Sequence, residues 1–244
     1  MRIDGRQNGQ LREITITLDY LTHSAGSCLI KFGKTEVLCA VTIDNRVPPF
    51  LAGKGRGWLT AEYALLPAST KERTQREANT GRLTGRTQEI RRFIGRSLRP
   101  IFDLSIVGER TFIIDCDVIQ ADGGTRTAAV TGAFIALSRA VSKCLANNQF
   151  SPTPILDYVG AVSAGMVRGQ PMLDLCYEED SSAEVDMNLV MTGREKIIEA
   201  GATAERMPIT HAEFEKLMAL AADGIKQIIA WEKKILGSNN TRIP

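Results

Sequence analysis

Residues 110–146 read RTFIIDCDVIQADGGTRTAAVTGAFIALSRAVSKCLA. The first eleven have strand character. From Thr125 the period becomes helical, and the helix is apolar over most of its surface, which predicts a buried position. Between the two, Gly123 and Gly124 let the backbone turn sharply and let a ligand approach it closely. The free N–H groups of the first helical turn, with the positive end of the helix dipole, suit an anion. Thr125 can cap the helix, and Arg126 adds a planar fork matched to phosphate oxygens. A plain turn with an N-cap accounts for Gly-Gly-Thr alone. It does not account for Arg126, because arginine is favoured at the opposite end of a helix.

Working outward toward the N-terminus, REITITLD (12–19) alternates as a strand does. GSCLIKFGKTEVLCAVTI (26–43) predicts two strands around a two-residue turn at Gly33-Lys34. That stretch superficially matches a P-loop, but six residues separate Gly26 from Gly33 where the loop needs four, and strand pattern lies on both sides. Residues 44–57 predict a loop, WLTAEYALL (58–66) a strand, and 67–83 an exposed loop. Residues 84–102 predict a helix with Ile90, Phe93, Ile94 and Leu98 on one stripe. Toward the C-terminus, after Pro152 and Pro154, four stretches are strand-like: VGAVSAGMVRG, PMLDLCYEED, AEVDMNLVMTG and EKIIEAG. A capping box, Thr210-x-x-Glu213, opens a final helix over 211–236, and the tail 237–244 is expected to fray. Strands, helix, strand, helix, strands, helix is an α+β or mixed α/β order.

The chain has 244 residues, 43% hydrophobic and 24% charged, as in a soluble globular protein. No apolar run is expected to span a membrane, and the polar start MRIDGRQNGQ is not a secretory signal. Five scattered cysteines without a C-x-x-C pair predict buried, reduced thiols and a cytoplasmic location. The net charge of +2 is uneven: Lys54 to Arg99 holds eleven basic and four acidic residues. That excess points to an anionic partner or to a solvated arginine-rich face.

Two further clusters carry candidate chemistry. In GRTQEIRRFIGRSLR (85–99), steps of four and three from Arg86 reach Ile90 and Phe93, so Arg86 is expected on the inward stripe, paired with an anion or a carboxylate. Arg92, Arg96 and Arg99 share another face, which either tracks a phosphodiester backbone or solvates the helix. CYEEDSSAEVDMN (176–188) holds carboxylates at 178, 179, 180, 184 and 186. Taken alone it is a solvated acidic hairpin; as a ligand set, its oxygens suit Mg²⁺ or Mn²⁺ and not zinc. His23 and His211 lie outside these clusters. Together the three clusters describe metal-assisted phosphoryl or nucleotidyl transfer on a polyanion.

MRIDGRQNGQLR, GWLTAEYALLP, GRTQEIRRFIGRSLR, DCDVIQADGGTRTAA and YEEDSSAEVDMNLVMTG, in that order, closely resemble the ribonuclease PH family of phosphate-dependent 3′-to-5′ exoribonucleases, which trim tRNA precursors. The resemblance runs from Met1 to about residue 236. It implies an α+β fold of mixed sheets packed with helices, a duplicated β-α single domain over 1–244 of the type shared with the polynucleotide phosphorylase core. It also implies a homohexamer, a trimer of dimers. Carried over, Arg86, Gly124, Thr125 and Arg126 would bind inorganic phosphate, with Arg126 also catalytic. Asp180 and Asp186 would be catalytic ligands of Mg²⁺ (or Mn²⁺), and Arg73, Arg76, Arg92 and Arg96 would guide RNA. Ala68 stands where the family usually has arginine, Arg91 and Phe93 replace glutamine and leucine, and the stretch around Gly201 differs. The implied reaction is phosphorolysis of RNA 3′ ends to nucleoside diphosphates, with nucleotide addition as its reverse. The rival readings are a non-catalytic RNA-binding subunit of an exosome-like ring, which would be expected to have lost phosphate or carboxylate residues, and a small-molecule kinase, which would call for a triphosphate loop.

Overall fold

The turn at Gly33-Lys34 forms as expected: Gly33 takes a positive φ of 56°, and Phe32 faces Thr35 across the closing pair. It joins β2 (Gly26–Phe32) to β3 (Thr35–Asp44), with β1 (Ile14–Leu18) antiparallel on the outside of β2. The computed structural model describes residues 2–206 and 208–237, so the tail expected to fray lies outside the described residues from 238 onward. The chain continues through β4 (Trp58–Leu65), the single turn α1 (Glu77–Thr80), α2 (Gly85–Leu98) and β5 (Thr111–Gln120). Then come α3 (Thr125–Ala146), β6 (Val159–Val167), β7 (Gln170–Leu173) and the single turn α4 (Tyr177–Asp180). β8 (Val185–Thr192), β9 (Ile197–Ala204) and α5 (His211–Gly237) complete it.

Two sheets result. The first is mixed, in the order β1-β2-β3-β5-β4, with β4 parallel to β5 because α2 crosses between them. The second, β7-β6-β8-β9, is antiparallel throughout. α3 packs on β2, β3 and β5 of the first sheet and on β6 of the second, so it is buried on opposite sides. Gly132 makes that possible: a Cβ there would sit 2.7 Å from Cys39 Sγ and 2.8 Å from Ile30 Cγ2. One hydrophobic core runs through both halves. Each fully buried large side chain in it, such as Phe134 or Phe112, contributes on the order of 2–3 kcal/mol. All five cysteines are buried and free.

Several expectations are corrected. α3 is, by length and composition, apolar enough to cross a membrane, contrary to the reading of the sequence; 78% of its most apolar stretch is instead buried within the fold. α2 stops at Leu98 and tightens into a 3-10 turn over Arg99–Ile101, because Pro100 has no N–H to continue the helix. The loop 67–83 contains α1, whose Glu77 accepts from Thr87 Oγ1 at 2.7 Å and so ties it to the start of α2. PMLDLCYEED is not one strand. It pairs only through Leu173 and then closes into α4, where Glu179 accepts from the Cys176 backbone N–H at 3.1 Å. The capping box at α5 forms as expected: Thr210 N–H donates to Glu213 and Glu213 N–H donates to Thr210.

Candidate active site

The Gly-Gly turn is the point where the two sheets meet. Gly123 has φ 77°, and a Cβ on it would lie 2.6 Å from the Leu175 carbonyl oxygen and 2.8 Å from Tyr177 N. Only glycine lets the turn before α3 approach the segment leading into α4 this closely. Gly124, with φ 63°, is itself the residue before the helix, and α3 starts at Thr125. The expectation that Thr125 caps the helix is therefore overturned. It is the first helical residue, the helix has no side-chain cap, and no acidic residue occupies its first turn. The Thr125 hydroxyl accepts from Tyr63 Oη at 2.9 Å instead.

The turn is clamped by residues that sequence reasoning passed over. Arg12 forms a two-pronged pair with Asp174, Nη2–Oδ1 2.6 Å and Nε–Oδ2 3.0 Å, and donates to the Asp122 carbonyl at 2.7 Å. Arg2 grips Glu179 in the same way and donates to the Leu173 carbonyl at 2.8 Å. Arg6 reaches the Asp174 carbonyl at 3.1 Å. Three arginines of the first twelve residues thus hold the chain around α4 against the first sheet. The only sequence signal was their number, since their partners lie some 160 to 180 residues away.

These bonds sort the acidic cluster. Glu179 turns inward onto Arg2, and Glu178 pairs with Lys71 at 3.4 Å. Glu184 accepts from Gly169 N–H at 3.2 Å. Asp180, at the end of α4, and Asp186, on β8, remain. Burial raises the Asp180 carboxyl above its ordinary range and the charge of Asp186 raises it further, while Arg86, Arg126 and Arg12 pull the other way. Burial raises Asp186 too, opposed by Arg126, by the Asn188 amide donating at 3.1 Å, and by Arg86. Charges on α2 and α3 therefore act on the two carboxyls of α4 and β8. No group of three or more histidine, cysteine or carboxylate ligands forms among the described residues.

Arg86 sits in the first turn of α2, where Thr84 caps the helix by accepting from Thr87 N–H at 3.2 Å. It is exposed, not inward as the stripe suggested; the buried stripe begins at Thr87. Arg86 lines a cleft of about 740 Å³ together with Arg76, Tyr63, Asp115 and Asp117. Arg126, not Arg86, has a carboxylate partner among the described residues: Glu89 lies 3.3 Å from its Nη1. Its guanidinium also stands 6.0 Å from the centre of the Phe93 ring. Of the other expected RNA contacts, Arg73 and Arg92 are exposed, and Arg96 pairs with Glu199 on β9 at 2.6 Å. Arg99 is occupied by the Trp58 ring and the Leu59 carbonyl, and Arg91 by Glu62.

The fold has close relatives in shape. A rice Rrp46 structure superposes with a TM-score of 0.78 at 18% identity, covering 96% of this chain and 100% of that one. The Archaeoglobus fulgidus exosome with RNA bound to the active site gives 0.79 at 19%, covering 93% and 91%. In sequence, residues 10–142 match the model for the 3′ exoribonuclease family, domain 1, and residues 157–224 match that for domain 2. The chain belongs to this ribonuclease PH-type 3′ exoribonuclease family. It is 55% identical over 236 residues to the ribonuclease PH of Solibacter usitatus, covering 97% of this chain and 99% of that protein. It is 51% identical to that of Moorella thermoacetica over 243 residues, covering 100% and 97%. With that of Bacillus subtilis it shares 50% over 240 residues, covering 98% of each.

Proposed function

We propose that this protein is a phosphorolytic 3′-to-5′ exoribonuclease: inorganic phosphate attacks the last phosphodiester of an RNA, and a nucleoside diphosphate leaves. The reverse reaction adds nucleotides to RNA 3′ ends. What supports this reading is that Arg86 on α2 and Arg126 beside Thr125 at the start of α3 both act by charge on the two buried carboxyls, Asp180 and Asp186. Attacker and substrate are both anions, so the arginines offset a repulsion that would otherwise keep them apart.

Arg86 and Arg126, with the uncapped first turn of α3 at Gly124 and Thr125, hold the phosphate in line with the scissile bond, which is catalysis by proximity. Asp180 and Asp186 would hold a Mg²⁺ or Mn²⁺ ion, which supplies neutralisation of charge at the scissile group. Their fit rests on the donor set: two oxygen donors whose charged forms burial disfavours, which a hard cation would offset. Tyr63, Glu89 and Asn188 orient the groups that touch substrate and ion.

RNA would approach along the cleft where Arg76 and Arg86 stand together, guided by Arg73, Arg92 and Arg96, with tRNA precursors as the expected substrates. Residues 1–244 act as one catalytic domain, a reading supported by the core shared between the two family segments. Assembly into a homohexamer is supported by the likeness to exosome cores, and a cytoplasmic location by the five free thiols. Intact phosphate and carboxylate residues weigh against the non-catalytic ring subunit. The test is incubation with short RNA, with and without phosphate, and identification of the released mononucleotide. Phosphate-dependent release of diphosphates supports phosphorolysis; monophosphates overturn it.

A further inference from the structure

Tyr63 is the polar member of the inward face of β4, following Leu59 and Ala61. It pairs in register with Cys116 on the parallel strand β5 and is only 4% exposed. Its hydroxyl makes one hydrogen bond among the described residues, to Thr125 Oγ1 at 2.9 Å. Two hydroxyls could share that bond in either sense. Were Thr125 the donor, the phenolic proton would be buried without an acceptor. With Tyr63 as the donor, the phenol is satisfied and the proton of Thr125 is left free. Nothing else claims the Thr125 hydroxyl: it caps no amide of α3 and donates to no described group. Arg86 lines the same cleft as Tyr63, and Arg126 follows Thr125 in the first turn of α3, so the pair stands beside the anion-binding groups.

We infer that Tyr63 is a positioning residue: by donating to Thr125 Oγ1 it fixes the Thr125 hydroxyl as a donor aimed at the attacking phosphate. Tyr63 touches no substrate atom, and no bond to it forms or breaks. A threonine free to rotate presents a lone pair to the phosphate as readily as a proton, and a lone pair repels an anion. This rests on the phosphorolytic reading above.

The experiment compares wild type, Tyr63→Phe, Thr125→Val and the double variant. KM for phosphate, KM for a short RNA and the rise in Tm caused by inorganic phosphate are measured for each. Tyr63→Phe should raise the phosphate KM about tenfold, the effect of one lost hydrogen bond, and leave the RNA KM within about twofold. Its phosphate-induced rise in Tm should shrink. In the Thr125→Val background, Tyr63→Phe should add less than about a twofold change, because the two residues act as a unit. Thr125→Ser, which keeps the hydroxyl, should hold the phosphate KM near wild type. An unchanged phosphate KM in Tyr63→Phe, an equal rise in both KM values, or a full penalty in the valine background overturns the inference. Should Tyr63→Phe unfold, Thr125→Val carries the test, and an unchanged phosphate KM there is equally fatal. The phosphate-induced Tm shift needs no turnover. If wild type released monophosphates, the functional reading would fail while the shift still decided whether Tyr63 and Thr125 jointly bind phosphate.

Discussion

Arg2 and Glu179 are 177 positions apart and meet as a buried pair, Nε–Oε1 2.8 Å and Nη2–Oε2 2.6 Å. Glu179 immediately precedes Asp180, so the pair fixes the helical turn on which a proposed ion ligand sits. Removing one partner leaves the other charge buried and alone. Glu179→Ala should cost on the order of 3 kcal/mol and lower the Tm by several degrees. It should also weaken Mg²⁺ dependence of the activity, through loss of the turn. Thermal unfolding and a Mg²⁺ titration check this; a Tm equal to wild type would show that the pair does not hold α4.

Arg86→Ala should lower kcat/KM for phosphorolysis roughly 10²- to 10³-fold in both directions. Because Arg86 is exposed and caps no core contact, the Tm should stay within a degree or two, and long RNA should still bind. Product release followed across a phosphate series is the measurement. A mutant with ordinary phosphate dependence would remove Arg86 from the site.

Asp180→Asn and Asp186→Asn should each abolish metal-stimulated trimming without unfolding the chain. Burial and neighbouring acids already disfavour both charges in the folded state, so neutralising one relieves strain. In the presence of a chelator, the Tm of each variant should equal or exceed that of wild type. Retained Mg²⁺ stimulation would exclude these two residues as ligands.

Arg73→Ala/Arg76→Ala should weaken binding of long RNA and flatten its log–log salt slope by roughly 0.7 for each lost phosphate contact. Phosphorolysis of very short RNA should be spared. Ala68→Arg adds a cation beside the same loop and should tighten binding of long RNA. Affinities across a salt series check both; three coincident slopes would mean that the 67–83 segment does not guide RNA.

Glu232 lies fully buried on α5, with neither carboxyl oxygen hydrogen-bonded among the described residues, and burial raises its pKa well above the ordinary value. The folded chain therefore keeps it protonated while the unfolded chain ionises it. Stability from this position is complete below the unfolded value of about 4.3 and declines as pH rises above it, at a slope of up to about 1.4 kcal/mol per pH unit. Glu232→Gln should raise the Tm at pH 8 and converge with wild type near pH 4. Tm measured from pH 4 to 9 is the check, and a gap independent of pH would contradict it.

Local chemistry made much of this protein legible in one dimension. The Gly33-Lys34 hairpin, the Thr210/Glu213 box and the buried stripe of α2 each depend on residues within a few positions of one another. The same holds for the mostly apolar α3 that the rest of the fold covers. Family motifs, likewise contiguous, named Arg86, Thr125, Arg126, Asp180 and Asp186. Periodicity misplaced Arg86, because it reports which way a residue faces on its own helix and not where the helix ends relative to a sheet. It also read Leu175–Asp180 as strand, although Glu179 closes α4 on the Cys176 N–H, because the partner that holds Glu179 there, Arg2, is far away in sequence.

What the tertiary structure alone decided is which polar groups are already spoken for. Five carboxylates between 178 and 186 are equivalent in sequence; Arg2, Lys71 and the Gly169 amide take three of them and leave Asp180 and Asp186 for the cleft. Arg96 pairs with Glu199, and the Thr125 hydroxyl accepts from Tyr63. The physical reason is that a buried charge or hydroxyl must find a partner, and the partners here come from the opposite sheet or from the far end of the chain. A sequence states what each group can do; only the folded arrangement fixes what each still has free.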